Sequence, residues 1–82
     1  MRLLFMSVLD KKVGAYSAPF LCKTKGEAIR SFTDAVKDST LPFQKHPEDY
    51  CLHFIGEFDD TTAQCVPNSF PEPLLEAMQV ES

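Results

Sequence analysis

Residues 45–60 read KHPEDYCLHFIGEFDD and hold two histidines, five acids and one cysteine. From Tyr50 onwards the side chains alternate with period two, which is typical of a β-strand. We therefore predict a strand that begins at Tyr50. One face of it carries Tyr50, Leu52, Phe54, Gly56 and Phe58, and a second, half-exposed face carries Cys51, His53, Ile55 and Glu57. The elements on either side are predicted relative to this strand.

The same stretch does not predict a metal or catalytic site. Cys51, His53 and Glu57 share a strand face, but same-face neighbours lie beyond hydrogen-bond reach, and His46 falls in the preceding loop. The acids at residues 48–49 and 59–60 are predicted to form turns, since their side chains accept local backbone amides. No phosphate-binding, zinc-protease or nucleophile-elbow motif occurs in the chain. We expect no cofactor, no metal and no enzymatic activity.

The N-terminal third predicts a β-hairpin. Residues 3–9 are apolar at both alternating positions, so this strand requires cover on both faces. Residues 11–14 supply a turn with glycine at its end, and a second strand follows over residues 15–22. Pro19 lacks an amide hydrogen, which predicts an edge strand or a bulge at that point.

A helix is predicted after this hairpin. Thr24 and Glu27 have the spacing of a capping box at a helix start. Apolar residues then recur with helical spacing, which predicts one face packed on the sheet. The helix is expected to end near Asp38, because Pro42 follows closely.

The C-terminal part predicts a second hairpin and a tail. A turn centred between Asp60 and Thr61 leads into a short strand at residues 63–66, with Cys65 opposite Gly56 and therefore not bonded to Cys51. Residues 71–82 are predicted to be a helical docking tail, with Leu74, Leu75 and Met78 on one face. The tail covers its own sheet, covers that of a neighbour, or stays loose until it meets a partner. A single helix cannot cover both faces of the first strand, which favours docking or a homodimer.

These elements predict the α+β fold class: a small ββαββ domain in which two hairpins form an antiparallel sheet with one helix packed on it. Residues 1–70 are expected to be a single domain, followed by the tail at 71–82. The chain has 82 residues, 44% of them hydrophobic, and no apolar run long enough for a membrane span. Three cysteines without CxxC spacing predict free thiols in a reducing cytoplasm.

Charge is distributed unevenly along the chain. Residues 1–25 carry five basic residues and one acid, whereas the remainder carries three basic and eleven acidic residues. The basic part predicts a surface for single-stranded DNA, in which aromatic rings stack on bases and cations meet phosphates. Its candidate residues are Arg2, Lys11, Lys12, Tyr16, Phe20, Lys23, Lys25 and Arg30. The alternative is structural: solvated lysines, an aromatic pair in the core, and Arg30 paired with Glu27 or Asp34.

The chain also resembles the small nonstructural protein of gokushovirus-type microviruses, bacteriophages with circular single-stranded DNA. The resemblance rests on Asp10, Gly14-Ala15-Tyr16, Pro19-Phe20, Gly26 to Phe32 with Asp34 and Val36, His46 to Tyr50 with Leu52, and Ile55 to Asp60. Two positions depart from it: His53 stands where a large or aromatic residue is expected, and Thr62-Ala63 replaces a Thr-Gly turn. The resemblance implies a role in viral DNA replication and supplies no catalytic residues.

Two functional hypotheses follow. In the first, a non-enzymatic phage protein in the host cell cytoplasm supports single-stranded DNA replication or packaging, with direct binding of single-stranded DNA as the expected contact. In the second, an interaction protein docks on host or viral replication or packaging proteins through its acidic half or its C-terminal tail. The net charge of −4 fits the second hypothesis better.

Overall fold

The computed structural model describes residues 1–80, which form one antiparallel sheet and one α-helix. The elements in chain order are β1 (Arg2–Asp10), β2 (Ala15–Tyr16), β3 (Phe20–Cys22), α1 (Lys25–Lys37), β4 (Tyr50–Asp59) and β5 (Gln64–Glu76). Short 3-10 helices lie at Pro47–Asp49 and Ala77–Gln79. The strand order is β2-β1-β4-β5, and β3 also pairs with β1. Within the described residues, no helix is long and apolar enough to cross a membrane.

The first hairpin forms as predicted. The backbone amide of Gly14 donates to the carbonyl oxygen of Asp10 at 2.8 Å, and Gly14 has a φ of 78°. The Asp10 carboxylate accepts from the amides of Lys12 and Val13, which holds the turn closed. Glycine is needed here because its missing Cβ removes the steric cost of a positive φ.

The second strand is not continuous as predicted, because Ser17–Pro19 interrupt it. Leu9 pairs with Tyr16 and Met6 pairs with Phe20, so three residues of this segment face two residues of β1. An extra residue reverses the alternation of side chains. A regular strand over residues 15–22 would place Tyr16 and Phe20 on the same face, but the extra residue places them on opposite faces of the sheet.

Helix α1 follows the prediction closely. The Thr24 side chain accepts from the amide of Glu27 at 3.1 Å, and the helix ends at its C-cap Asp38. The buried side of α1 packs on β3, β4, β5 and the 3-10 helix at Ala77–Gln79. The core cluster comprises Met6, Val8, Cys22, Ala28, Phe32, Val36, Leu52 and Ala77.

Strand β4 begins at Tyr50 as predicted, but a bulge divides it. Phe5 pairs with Gly56 and Met6 pairs with Phe54, which leaves Ile55 without a partner on β1. The bulge moves Gly56 and Phe58 to the face that carries Cys51 and His53. The predicted division of β4 into two faces is therefore correct only up to the bulge. Cys51 and His53 are buried, with exposed fractions of 1% and 7%, rather than half exposed.

The last strand differs most from the prediction. Instead of a four-residue strand, β5 is a 13-residue strand that passes through Pro67, Pro71 and Pro73. Only β4 pairs with it, so the prolines lie on an edge strand, where a missing amide hydrogen is tolerated. The predicted helical tail is wrong over residues 71–76, which are strand, and only Ala77–Gln79 turn into a short 3-10 helix. Residues 81–82 of the predicted tail lie outside the described residues.

The turn between β4 and β5 is longer than predicted. Asp59 pairs with Gln64, and the amide of Ala63 donates to the carbonyl oxygen of Asp59 at 2.7 Å. Cys65 therefore lies opposite Phe58 rather than Gly56. All three cysteines are free thiols, as predicted. The fold is a mixed α+β domain with one helix and a curled antiparallel sheet.

Candidate functional site

Among residues 1–80, no α-helix packs on one of the two faces of the sheet. On β1, Leu4, Met6 and Val8 face α1, so the odd-numbered residues face the other way. The strand registers place their cross-strand partners on the same side. We call this side the open face. It comprises Leu3, Phe5, Ser7, Leu9, Tyr16, Leu21, Cys51, His53, Gly56, Phe58, Cys65, Pro67, Pro73 and Glu76.

The outer part of the open face is apolar and partly exposed. Leu21 is 46% exposed and Tyr16 is 45% exposed. The rings of Phe5 and Phe58 meet edge-on, with centroids 6.3 Å apart, and both are half-buried. Cys65 beside Phe58 has an exposed thiol. A sheet face of this composition is typical of a contact surface.

The centre of the open face is polar but internally satisfied. The Ser7 hydroxyl donates to the carbonyl oxygen of Ser17 at 2.7 Å and is fully buried. His53 Nδ1 lies 3.2 Å from the carbonyl oxygen of Cys51, and the His53 ring meets the Tyr16 ring edge-on at 5.4 Å. These contacts hold the His53 and Tyr16 rings in place on the open face.

Charge on the open face is confined to its margin. Glu76 pairs with Lys11 at the end of β1, and the hydrogen bond to Glu76 raises the pKa of Lys11. The other residues of the open face include no Asp, Glu, Lys or Arg. The face therefore lacks the cations that a phosphate backbone requires.

The predicted DNA-binding cations are spread over the molecule, and acids neutralise three of them. Arg2 lies 2.9 Å from Glu57, Lys25 lies 2.9 Å from Glu72, and Lys11 pairs with Glu76. The acidic β4–β5 part of the chain thus folds back on the basic N-terminal part. Within residues 1–80, no carboxylate lies within 4.0 Å of Lys12, Lys23 or Arg30. The predicted structural alternative of an Arg30 pair with Glu27 or Asp34 is not observed.

The two predicted stacking residues are separated. Phe20 packs against the core beneath α1, as the structural alternative predicted. Tyr16 lies on the open face against His53. The structure does not bring these two rings into one stacking surface.

The predicted docking residues of the tail are also separated. Leu74 and Leu75 are half-buried and pack against the protein's own core, whereas Met78 is 63% exposed. They do not form a single helical face, because Leu74 and Leu75 belong to β5. The first half of the tail is part of β5 and joins the sheet at its edge, which none of the three predicted alternatives described.

The sequence analysis also did not predict that residues 68–71 form an arch within β5. Phe54 pairs with Glu72 and Gly56 pairs with Pro67, so residues 68–71 have only Ile55 opposite them. The Asn68 side chain donates to the carbonyl oxygen of Phe54 at 3.0 Å. Phe70 is 73% exposed, and an open cavity of about 440 Å³ lies beside it.

The titratable side chains show no activated nucleophile among the groups with a resolved shift. Burial raises the pKa of the Cys51 thiol to about 11, and burial also raises the pKa of Cys22. Both thiols are therefore protonated near neutral pH. His46, Glu48 and Asp49 place their ligand atoms within 4.8 Å of one another on the surface, an arrangement that exposed acidic groups often adopt without an ion.

The sequence signals for the open face were incomplete. Leu21, Phe58 and Cys65 were not predicted to lie together. Gly56 was the one sequence feature that could have indicated the bulge and the change of faces, since a glycine inside a strand often marks a bulge or a close approach of two backbones.

Comparison with known proteins places the chain in one family. The model of the family described as Phage ORF5 protein matches residues 3–80. No curated protein and no solved structure matches the chain. Since the match covers nearly the whole sequence, the chain belongs to the Phage ORF5 protein family, a family of bacteriophage proteins.

Proposed function

We propose that this phage protein is a non-enzymatic interaction protein that supports replication or packaging of a single-stranded viral DNA genome. It acts in the host cell cytoplasm by docking on viral or host proteins of that process. The resemblance to the gokushovirus-type nonstructural protein supports a role in viral DNA replication or packaging. The observation that supports docking is the outer part of the open face, which is apolar and partly exposed at Leu21 and Tyr16.

The open face suits protein contact better than the tail does. Leu74 and Leu75 already pack on the protein's own core, so they have little area left for a partner. Leu21 and Tyr16 retain nearly half of their exposure. Burial of an apolar side chain of this size stabilises a contact by roughly 1–2 kcal/mol.

The test is complementation of a phage that lacks the gene, with viral single strands counted by strand-specific quantitative PCR. Leu21→Asp places a charge on the open face and should lower the yield at least tenfold. Val66→Asp is the matched control, because Val66 is a similarly exposed aliphatic residue on the opposite face of the sheet. Equal yields from both variants would contradict docking through the open face.

A second candidate function is direct contact with single-stranded DNA. Lys12, Lys23 and Arg30 are exposed and have no carboxylate within 4.0 Å among residues 1–80, which favours them over the neutralised cations. Electrostatic contacts with phosphates weaken steeply with salt.

Fluorescence anisotropy with labelled single-stranded and duplex DNA at two salt concentrations tests this candidate. The triple variant K12E/K23E/R30E should abolish binding, whereas K37E/K45E alters two exposed cations outside the candidate set and should retain it. Absence of binding by the wild type at low salt would remove this candidate.

A further inference from the structure

We propose that a groove on the helix side of the sheet binds a small organic amine, a molecule in which an apolar body is joined to a cationic head. The groove lies between α1 and the first hairpin, and we call it the hairpin groove. It consists of two adjoining cavities of about 310 Å³ each, and both are lined by Val8 and Phe43. Because it lies on the other side of the sheet from the open face, this inference goes beyond the proposed docking function.

The groove exists because α1 does not extend over the turn of the first hairpin. The helix packs on β3, β4 and β5, and among residues 1–80 no residue of α1 lines the second cavity. Phe43, from the loop after α1, stands between the two cavities. Its ring centroid lies 5.6 Å from that of Phe32 and 4.7 Å from that of Tyr50. The volume of each cavity is at the lower end of the range for small-molecule sites.

The cavity next to α1 fits the apolar body of a ligand. Its lining contains one polar side chain, Ser31, and the others are Val8, Phe20, Phe32, Ala35 and Phe43. Aromatic rings in such a lining make favourable edge and face contacts with a flat ring. A charged group would lose its hydration here without gaining a partner of opposite charge. The apolar end of the ligand is therefore expected in this cavity.

The cavity at the hairpin turn favours a cationic head. Within the described part of the chain, Asp10 is the one formally charged residue that lines either cavity. The strand registers place it beside Ala15 and Tyr50. The amides of Lys12 and Val13 both bond Oδ1 of this carboxylate, so Oδ2 can accept from a ligand. No cation of residues 1–80 lies within 4.0 Å of Asp10, and an ammonium group would supply the missing partner.

Tyr50 shows that the electrostatic potential at this end of the groove is negative. Burial raises the pKa of its hydroxyl, and the carboxylates of Asp10 and Asp49 raise it further. The two acids oppose a further negative charge, and the same potential attracts a cation. An anionic ligand of the same shape should therefore bind less tightly than a neutral one.

The test is a titration of the full-length, 15N-labelled protein, followed by two-dimensional 1H–15N NMR. Three probes share a phenyl ring on a short chain: cationic 2-phenylethylammonium, neutral 2-phenylethanol and anionic 3-phenylpropionate. We expect the ammonium to cause saturable shifts at the amides of Val8, Asp10 and Phe43. It should bind at least about threefold more tightly than the alcohol, the size of effect expected for one partly exposed ion pair. 3-Phenylpropionate should bind most weakly.

Three variants separate the charge from the apolar contact. Asp10→Asn keeps an oxygen for the turn amides but removes the charge, so it should abolish the preference for the ammonium over the alcohol. Asp59→Asn is the matched control, because Asp59 also accepts a turn amide but lies at the other end of β4, opposite Arg2. Ala35→Leu fills the apolar cavity and should weaken binding of both the ammonium and the alcohol. The NMR spectrum of each variant shows whether it folds.

The inference is overturned if no probe causes saturable shifts in the hairpin groove, or if the wild type binds the ammonium and the alcohol equally. Loss of the preference in Asp59→Asn as well as in Asp10→Asn also overturns it, since the ammonium would then respond to the net charge of −4. Unchanged binding to Ala35→Leu would contradict the position of the apolar body. Docking through the open face is tested separately by the complementation assay.

Discussion

Gly56 lies directly against the backbone of Val66: a Cβ atom on Gly56 would be 2.8 Å from the carbonyl oxygen of Val66. It would also be 3.1 Å from the Cα atom of Pro67. Neither backbone atom can move without disturbing the pairing of β4 with β5, so only glycine fits at this point beside the bulge.

The first prediction is that Gly56→Ala destabilises the protein by about 1–3 kcal/mol, the cost of overpacking against fixed atoms. Urea unfolding followed by circular dichroism measures it. Gly26→Ala is the control, because the nearest atom to its added Cβ is 3.9 Å away and the residue lies in α1, where alanine is favoured by about 0.5–1 kcal/mol. Equal free energies of unfolding for Gly56→Ala and Gly26→Ala would contradict the close approach of β4 to β5 at Gly56.

The second prediction concerns Ala63, which has a φ of 62° in the turn between β4 and β5. An alanine in this conformation costs about 1 kcal/mol relative to glycine, and the greater freedom of glycine in the unfolded chain offsets part of it. Ala63→Gly should therefore stabilise the protein by about 0.5 kcal/mol.

The turn between β1 and β2 provides the reciprocal control, because its positive-φ residue is already a glycine. Gly14 has a φ of 78°, and an added Cβ there meets no atom within 4 Å. Gly14→Ala should destabilise by about 1 kcal/mol through the backbone alone. Thermal unfolding of both variants should therefore give shifts of opposite sign, and shifts of the same sign would contradict the assigned turn conformations.

The third prediction is the loss of one helix cap. Thr24→Ala removes the oxygen that accepts from the Glu27 amide at 3.1 Å and should cost about 1 kcal/mol. Thr33→Ala is the matched control, since the Thr33 hydroxyl donates to the Ile29 carbonyl oxygen within the helix and its loss should be nearly neutral. Urea midpoints of the two variants measure the difference, and an equal cost for both would argue against the cap.

The fourth prediction is a pH dependence of stability from Cys51. Burial raises the pKa of this thiol from 9.0 to about 11. Between these values the unfolded chain releases a proton that the folded protein retains, so the free energy of unfolding falls as pH rises. The contribution is fully present below pH 9 and is lost by about pH 11.

Urea midpoints at pH 8, 9.5 and 11 test this effect. Cys51→Ala should lower stability at every pH but reduce the slope between pH 9 and 11. Cys65→Ala serves as the control, because the Cys65 thiol is exposed. A Cys51→Ala slope equal to that of the wild type would show that the thiol ionises equally in both states.

The helix was predictable because the information for it is local. Thr24 and Glu27 are three residues apart, and the apolar spacing up to Val36 lies within the same segment. The first turn and the start of β4 at Tyr50 were predictable for the same reason. Each rests on residues that are neighbours in the sequence.

Strand β5 was not predictable from local signals. In the sequence, Pro67 indicated the end of a strand, and Pro71 with Pro73 indicated the start of a helix. In the structure, β4 pairs with one side of β5, and the other side is a sheet edge that needs no backbone amide donors. Tertiary pairing therefore overrides the local preference of the chain. The position of a proline on an edge strand is evident only when the strand order is known.

The open face was hidden from the sequence by irregularities in its strands, which include two register shifts between β4 and β5. The extra residue within Ser17–Pro19 and the bulge at Ile55 each reverse the side-chain alternation, and period-two counting does not register them. The ion pairs were hidden as well, since Arg2 and Glu57 are 55 residues apart.

The strand order has a consequence for how the chain folds. Strand β1 lies inside the sheet, and its long partner β4 begins 40 residues after β1 ends. Loop closure over such a distance costs entropy before any pairing repays it, so we expect slow folding. On the ribosome, β1 has only the short segment at residues 15–22 beside it until β4 emerges. The nascent chain must therefore keep an apolar strand from contact with other chains until β4 has been synthesised.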